Sequence, residues 1–195
     1  DTDPYRDCPT PDLARANLNL PSTDKPSILY LSRLHYKKRP DLLLTAAKSM
    51  RDAGHAFNIV IAGPSDPVYD AKLKAYAKQL KIDDITTFLG MVPAEFKPSL
   101  FNACDLFCLP TSMENFGFVY YEALACATPL VTTKGTDTWP ELQASGGGSI
   151  VNMIRSDVPD AEVGGGDVTE LAATLGRLIA DRPRLKPSGL AARNW

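Results

Sequence analysis

Two acidic residues stand eight positions apart around a glycine in the segment ENFGFVYYE, which runs from Glu114 to Glu122. The segment follows an apolar run that is typical of a buried strand, and it leads into a helical pattern. Gly117 lies at the expected helix start, where unpaired N–H groups point outward and favour an anion. A carboxylate accepts two hydrogen bonds at once and therefore suits the hydroxyl groups of a polyol. We expect an anion at the helix start, with one carboxylate on either side.

A basic loop elsewhere in the chain supplies the opposite charge. The apolar run SILYLS ends at Ser32 and is followed by Arg33, Lys37 and Lys38. A guanidinium and an ammonium group held at a strand end suit a phosphate or a diphosphate. Taken alone, this loop is equally typical of a solvated surface, and so is each of the two acids. His35 is more typical of an ordinary loop histidine than of a catalyst.

The elements that must position these residues are strands that alternate with helices. Strands are predicted near residues 27–32, 57–63, 85–90, 105–110, 129–133 and 148–152, and a last helix over 167–182. Because the strands are apolar throughout, they predict an α/β fold, a Rossmann-like doubly wound parallel sheet of about six strands. Ligands of such sheets bind beyond the carboxyl ends of the strands. This rule selects the loops after Leu31, Ala62, Leu89 and Leu109.

The second and third of these loops carry little charge. They read AGPSDP and LGMVP, and they include Gly63 and Val92. Backbone-lined loops of this kind could form the walls of a site for a flat group such as a base, although simple turns fit equally well.

The composition excludes several classes of function. The chain has 195 residues and a net charge of −2, which gives no electrostatic case for nucleic acid as a partner. No apolar run approaches the ~20 residues that span a bilayer, so we expect a cytoplasmic protein. The four cysteines form no C-x-x-C pair and predict buried free thiols rather than disulfides or a metal site. The two histidines have no metal-ligand spacing, and we predict no metal.

Together these motifs resemble the retaining glycosyltransferases of the GT-B fold, in the family 4 (group 1) class. The resemblance covers roughly residues 27–182 and rests on LYLSRLHYKKRPDLLLTA, FNIVIAGPSD, FLGMVP, ACDLFCLPTSMENFGFVYYEALACATPLVTT and GTDTWPELQASGGGSIV. It implies transfer of a sugar from a nucleotide-diphosphate sugar to an acceptor, without a further cofactor.

The resemblance also implies roles for single residues. Arg33 and Lys38 would hold the donor diphosphate and neutralise its charge as it leaves. Glu114 would contact the transferred sugar, and Glu122 would bind the ribose of the nucleotide. The remaining binding residues would be Asn115, Phe116, Gly117, Phe118, Val92 and Gly63. The chain departs from the family at Asn115, where a glycine is usual, and this change beside the sugar bears on donor preference. Ser32, Arg39 and Ala127 also replace usual glycines.

The family's complete enzyme has two domains that face each other across a cleft. By resemblance, residues 1–26 are an interdomain connector, 27–182 the donor-binding domain, and 183–195 the start of a C-terminal crossover segment. The acceptor, whether a glycan, a lipid or a small molecule, would bind a domain outside this chain. We therefore expect the chain alone to be inactive, and contact of the whole protein with the inner face of a membrane stays open.

Three other functions remain as alternatives. A phosphorylase-type enzyme on the same fold would place phosphate where the nucleotide sits. A nucleotide-binding module would bind without transfer. A dinucleotide oxidoreductase is disfavoured because no G-x-G-x-x-G follows the first strand and no acid ends the second.

Overall fold

The structure is a computed structural model that describes residue 5, residues 8–154 and residues 165–195. Within these residues, six strands form one parallel sheet in the order β3-β2-β1-β4-β5-β6. The strands are β1 (Ser27–Leu31), β2 (Asn58–Ala62), β3 (Thr86–Gly90), β4 (Leu106–Leu109), β5 (Leu130–Thr133) and β6 (Gly148–Val151). A short antiparallel pair, β7 (Met153–Ile154) and β8 (Gly165–Gly166), lies outside this sheet. The predicted α/β fold with a six-stranded parallel sheet is confirmed.

Helices cover both faces of the sheet. They are α1 (Pro11–Asn17), α2 (Pro40–Asp52), α3 (Pro67–Gln79), α4 (Lys97–Ala103), α5 (Phe118–Ala125), α6 (Trp139–Ala144), α7 (Val168–Ala180) and α8 (Arg182–Arg193). Because the strand order reverses at β1, right-handed connections place α2 and α3 on one face and α5 and α6 on the other. Helix α2 packs against α3 and α7, whereas α1 packs against α4, and α5 against α8.

The core explains why the strands show no alternation of apolar and polar residues. Every residue of β1, β4 and β5 is buried, as expected for strands that are covered on both faces. The Phe107 ring of β4 lies 5.7 Å from Phe101 of α4 and 6.1 Å from Tyr120 of α5. These ring contacts fix α4 and α5 against the sheet, and both helices carry side chains of the candidate site.

The helix starts differ in how they are capped. The carboxylates of Asp66 and Asp167 each accept two backbone N–H groups and thereby cap α3 and α7. Helix α5 begins after Gly117, and no side chain caps it. The first N–H groups of a helix have no partner within the helix, so the start of α5 keeps this capacity for another acceptor.

The last helix was predicted incorrectly at its end. The expected helix over 167–182 stops at Ala180, and a separate helix begins at Arg182. Pro183 lies in the first turn of this second helix, where its missing N–H is tolerated, whereas it would break a continuous helix.

The segment expected to be a connector is partly folded onto the domain. Residues 1–4 and 6–7 of it lie outside the described residues, as do residues 155–164 of the expected donor-binding domain. Within the segment, α1 packs against α4, and the buried Arg15 donates from Nη1 to the Ala103 carbonyl over 2.7 Å. This helix was not predicted. Its role as a link to another domain stays a prediction.

Candidate functional site

The loops after β1 and β4 meet where the strand order reverses. Strands β1 and β4 are neighbours, so their carboxyl ends lie side by side. The Lys37 carbonyl accepts hydrogen bonds from the Ser112 N–H at 2.9 Å, the Ser112 hydroxyl at 3.0 Å and the Thr111 hydroxyl at 3.1 Å. Three donors on one carbonyl hold the two loops together. This is the crevice in which ligands of doubly wound sheets bind.

The joined loops bring two of the predicted site residues into contact. Lys38 Nζ donates to Glu114 Oε2 over 2.6 Å and to the Met113 carbonyl over 3.1 Å. Both side chains are largely buried, with exposed fractions of 15% for Lys38 and 23% for Glu114. A partly buried pair of this kind is screened less by solvent than a surface pair. The predicted meeting of the basic loop and the acidic loop is therefore observed.

Arg33 lies in the same loop but is exposed. Its guanidinium makes no hydrogen bond or ion pair with any residue that the structure describes. Burial lowers the pKa of His35 below its usual value, and the positive charges of Arg33, Lys37 and Lys38 lower it further. The loop is thus a concentration of positive charge in which a neutral imidazole is favoured.

The backbone of Glu114 is fixed by a loop that sequence reasoning missed. The Glu114 N–H donates to the Gly135 carbonyl over 2.9 Å, and the Asp137 N–H donates to the Glu114 carbonyl over 3.0 Å. The side chain is also oriented, since Glu114 Oε1 accepts the N–H of Asn115 over 3.1 Å. The loop after β5 therefore positions the acid. The sequence KGTD carries no charge pattern that distinguishes it from an ordinary turn.

Gly117 is required by the packing at the start of α5. Its φ is +67°, which side-chain-bearing residues rarely adopt. A Cβ atom at this position would lie 2.3 Å from the Tyr120 ring and 3.0 Å from the Glu114 Cγ. Glycine thus allows the uncapped helix start and the Glu114 side chain to lie against each other.

The second acid has a different set of partners. Lys97 Nζ of α4 lies 3.0 Å from Oε1 and 3.1 Å from Oε2 of Glu122, and the Tyr5 hydroxyl donates to Oε1 over 2.8 Å. Burial raises the pKa of Tyr5, and the hydrogen bond to Glu122 and its charge raise it further. The sequence analysis missed both partners. Lys97 had no motif around it, and Tyr5 lay in a segment that was expected to be a connector.

Aromatic side chains form a wall beside the helix start. Phe116 stacks on Tyr121 with ring centroids 5.1 Å apart, and Phe118 lies 4.8 Å from Phe116. Phe118 is 73% exposed, although its side chain is apolar. An exposed aromatic group beside polar ligand-binding groups is typical of a recognition surface.

The loops after β2 and β3 lie on the other side of the basic loop. Gly63 is buried, with φ +138°, and a Cβ there would lie 1.9 Å from the Ser32 carbonyl oxygen. Its N–H donates to the Gly90 carbonyl over 2.7 Å. Gly63 therefore contacts the ends of both neighbouring strands, β1 through Ser32 and β3 through Gly90. Val92 is half-buried against the core. Contact of either residue with a ligand stays a prediction.

A cavity opens between the loops after β1 and β2. Its volume is about 360 Å³, and Arg33 lies at its edge beside the apolar or aromatic groups of Leu34, Tyr36, Pro64 and Tyr69. His35, Ser65 and Asp66 also line it. A cavity of this size, with apolar walls and a few polar groups, matches the usual character of a small-molecule site.

The described residues contain neither a cluster of metal ligands nor a helix suited to a membrane. Among residues 5, 8–154 and 165–195, no group of three or more His, Cys, Asp or Glu side chains could hold a metal ion. Within the same residues, no helix has both the length and the apolar character needed to cross a membrane.

The fold and sequence are similar to those of known proteins. The chain is 32% identical over 185 residues to D-inositol 3-phosphate glycosyltransferase of Nocardia farcinica, covering 92% of this chain and 38% of the relative. It is 31% identical to GDP-mannose-dependent alpha-(1-6)-phosphatidylinositol monomannoside mannosyltransferase of Mycolicibacterium smegmatis, covering 100% of this chain and 49% of that one. The chain therefore spans half or less of the length of these curated relatives.

Solved structures agree on the fold. Anabaena Alr3699/HepE in complex with UDP superposes with a TM-score of 0.81 at 22% identity, covering 100% of this chain and 50% of that one. The C-terminal domain of a glycosyl transferase group 1 family protein (LpcC) from Francisella tularensis gives 0.79 at 21% identity and covers 94% of that chain. The sequence model of the glycosyl transferases group 1 family matches residues 15–183, and the chain belongs to this family.

Proposed function

We propose that the chain is the donor-binding domain of a retaining glycosyltransferase that uses a nucleotide-diphosphate sugar. The observation that carries this proposal is the contact of Lys38 with Glu114 beside the uncapped start of α5. Groups for a diphosphate and for a sugar thus lie side by side in one crevice. The names of similar proteins support it, since one is GDP-mannose-dependent and another was solved in complex with UDP.

The diphosphate would be held by Arg33, Lys38 and the N–H groups at the start of α5. Arg33 is exposed, and it lines the cavity between the loops after β1 and β2. As the bond between sugar and diphosphate breaks, negative charge grows on the leaving oxygen. Fixed positive groups at that place stabilise the transition state more than the ground state, which is the usual origin of such catalysis.

Donor binding would exchange the partners of the Lys38–Glu114 pair. In the structure Lys38 Nζ donates a hydrogen bond to Glu114 Oε2, while Oε1 accepts the N–H of Asn115. The sugar hydroxyls would replace Lys38 on Glu114, and the phosphate oxygens would replace Glu114 on Lys38. Each charged group would then keep a partner, so neither is left buried and unpaired at a high energetic cost. Asn115, beside this acid, would bear on the choice of sugar.

The nucleoside would extend from the diphosphate toward Glu122 and the loops after β2 and β3. Glu122 would accept hydrogen bonds from the ribose, and its orientation is already set by Lys97. Val92 would flank the base, with Gly63 holding the adjoining strand ends together. The amides of Phe116, Gly117 and Phe118 would contact the sugar and the phosphate.

The acceptor would bind a second domain. The chain spans half or less of its curated relatives, and it covers nearly all of the Francisella C-terminal domain. Residues 1–26 would then connect the two domains, 27–182 would bind the donor, and 183–195 would begin the crossover segment. Positioning of an acceptor lowers a barrier by about 7–11 kcal/mol, so the chain alone should bind donor without useful transfer.

Calorimetry with UDP, GDP and ADP, each with and without EDTA, tests the proposal. We expect one of them to bind, with the same affinity in EDTA, because the diphosphate is held by Arg33, Lys38 and a helix start. Lys38→Ala should weaken binding by about 1.5–3 kcal/mol, the size of a hydrogen bond to a charged group. The matched control is Lys48→Ala, which removes an exposed lysine paired with Asp52 on α2.

The alternatives give different results in the same experiment. Binding of inorganic phosphate without any nucleotide would favour the phosphorylase-type enzyme. Nucleotide binding without sugar transfer by the full-length protein would favour a binding module. Loss of affinity in EDTA would show that a metal, rather than the two cations, holds the diphosphate.

A further inference from the structure

Two cysteines lie in contact beside the second acid. Cys8, which precedes α1, and Cys126, which follows α5, have their sulfur atoms 3.1 Å apart. All four cysteines are free thiols, as predicted, but Cys8 is only partly buried. No pattern in the sequence indicated that Cys8 and Cys126 meet across 118 positions. A disulfide bond is about 2.05 Å long, so a small approach of the two sulfurs would suffice to form one.

The two sulfurs differ in access and in chemistry. Cys126 is buried, whereas Cys8 is partly exposed and can be reached from solvent. The hydrogen bond between the Cys8 and Cys126 thiols lowers the pKa of Cys8 to about 7, against the effect of burial and with help from Asn102, Lys186 and Arg193. A thiol with such a pKa is partly thiolate near neutral pH, which is the reactive form.

The two other cysteines do not share the lowered pKa of Cys8. Cys104 and Cys108 are buried in the apolar core, and burial raises the pKa of Cys104 to about 12 and that of Cys108 further. Thiols of this kind are inert. Reaction with an oxidant should therefore begin at Cys8.

We propose that Cys8 and Cys126 form a dithiol that hydrogen peroxide oxidises to a disulfide, which fixes Tyr5 on Glu122 and weakens nucleotide binding. The Cys8 thiolate attacks one peroxide oxygen, the O–O bond breaks, and the leaving hydroxide takes a proton to become water. The sulfur of Cys126 then attacks the resulting sulfenic acid, its proton leaves with the hydroxyl as a second water, and the S–S bond forms. Two thiols and one peroxide become one disulfide and two waters.

The disulfide would act on the site through Tyr5. Tyr5 precedes Cys8 by three positions, and its hydroxyl donates to Glu122 Oε1 over 2.8 Å. The Cys8 thiol donates to the Tyr5 carbonyl over 2.9 Å in the reduced chain, and oxidation would replace this hydrogen bond by the covalent link to Cys126. A bond from Cys8 to the end of α5 would hold this short segment against the helix that carries Glu122. Tyr5 would then keep one oxygen of the acid occupied. This step rests on the proposed function, which assigns Glu122 to the ribose.

The first test is chemical and does not depend on the proposed function. The full chain is treated with hydrogen peroxide and digested, and the peptides are examined by mass spectrometry. We expect a peptide that links Cys8 to Cys126, with Cys104 and Cys108 still reduced. Cys8→Ser should abolish this peptide, and Cys104→Ala, the matched control, should leave it unchanged. Oxidation of Cys8 to sulfinic acid, or a link between two chains, would overturn the dithiol.

The second test compares nucleoside diphosphate affinity of the reduced and oxidised chain, with UDP and GDP as probes. We expect oxidation to weaken binding about three- to tenfold, the size of one hydrogen bond. Tyr5→Phe removes the hydroxyl and should abolish this difference. A disulfide that forms without changing affinity would overturn the coupling to the site. A disulfide in a chain that binds none of UDP, GDP and ADP when reduced would instead contradict the proposed function and leave the dithiol standing.

Discussion

The two acids of the site are held in opposite ways. Glu114 lies in a loop, and its charge is paired with Lys38, which is itself a candidate ligand-binding group. Glu122 lies on α5, and its charge is paired with Lys97 and Tyr5, from α4 and the N-terminal segment. Under the proposed function, the first pair would open when a ligand binds, whereas the second could stay closed on one side. The chain thus combines an exchangeable carboxylate with one whose orientation is set in advance.

This difference has a physical origin in the topology. The Glu114 pair sits where β1 and β4 are neighbours, so residues far apart in sequence meet only through hydrogen bonds between loops. The Glu122 pair sits between two helices that are fixed on the sheet by ring packing around Phe107. Groups on rigid elements are positioned more tightly than groups on loops. Variants at the loop pair and at the helix pair should therefore respond differently.

The largest effect is expected where the loop acid meets the helix. Gly117→Ala adds a Cβ in a left-handed conformation against Tyr120 and Glu114. Left-handed strain costs about 1–2 kcal/mol and overpacking about 1–3 kcal/mol, so thermal unfolding should show a loss of about 2–5 kcal/mol. Gly146→Ala is the matched control, since its φ is +76° with no atom within 4 Å, and it should cost only the strain. Equal losses would show that the packing at α5 relaxes freely.

An intermediate effect should separate the two acids. Glu122→Ala should weaken nucleoside diphosphate and nucleotide-sugar alike by about 1.5–3 kcal/mol in calorimetry. Glu114→Ala should spare the nucleoside diphosphate and lower turnover of the full-length enzyme, because its contacts orient the transferred sugar. Glu141→Ala on the exposed part of α6 controls for the loss of one negative charge. Equal losses with both ligands for Glu114→Ala would show that the two assignments are wrong.

The smallest effect should appear in the titration of His35. Burial and the nearby charges of Arg33, Lys37 and Lys38 lower its pKa, so a bound diphosphate that neutralises these charges should raise that pKa. The chain has two histidines, and NMR can follow the ring signals of both. His55 packs against Gly176 of α7, away from the basic loop, and its signal should not respond to nucleotide. An unchanged midpoint for His35 would place the diphosphate elsewhere.

The sheet could be predicted from sequence because its strands are uniformly apolar. Residues 27–31 are all apolar apart from Ser27, which is typical of a buried strand. The loops after Leu31 and Leu109 were selected because ligands of parallel sheets bind beyond the carboxyl ends of the strands. Helix α8 was not predicted, because residues 183–195 carry Pro183 and Pro187 among polar residues and were expected only to begin a crossover segment. Helix α1 was missed because a short polar segment forms a helix only when it packs, here against α4.

The site could be predicted only in part. Arg33, Lys38 and Glu114 were selected because charged residues follow a strand end in each case, and their roles toward a ligand stay predictions. Lys97 and Tyr5 were not found, because their importance lies in meeting Glu122, and nothing local indicates that meeting. The fixing of Glu114 by Gly135 was also hidden, since a backbone carbonyl has no sequence signature.

The three hydrogen bonds on the Lys37 carbonyl join the two halves of the sheet at the candidate site. The cations come from the half that carries β1 to β3, and the acids with the helix start come from the half that carries β4 to β6. Neither half contains all the residues of the candidate site. A ligand that contacts both halves would therefore link them across the boundary between β1 and β4. Saturation at 100 times the Kd adds about 2.7 kcal/mol to the folded state. Two fragments separated between β3 and β4 should therefore reassociate more tightly in the presence of the donor than without it.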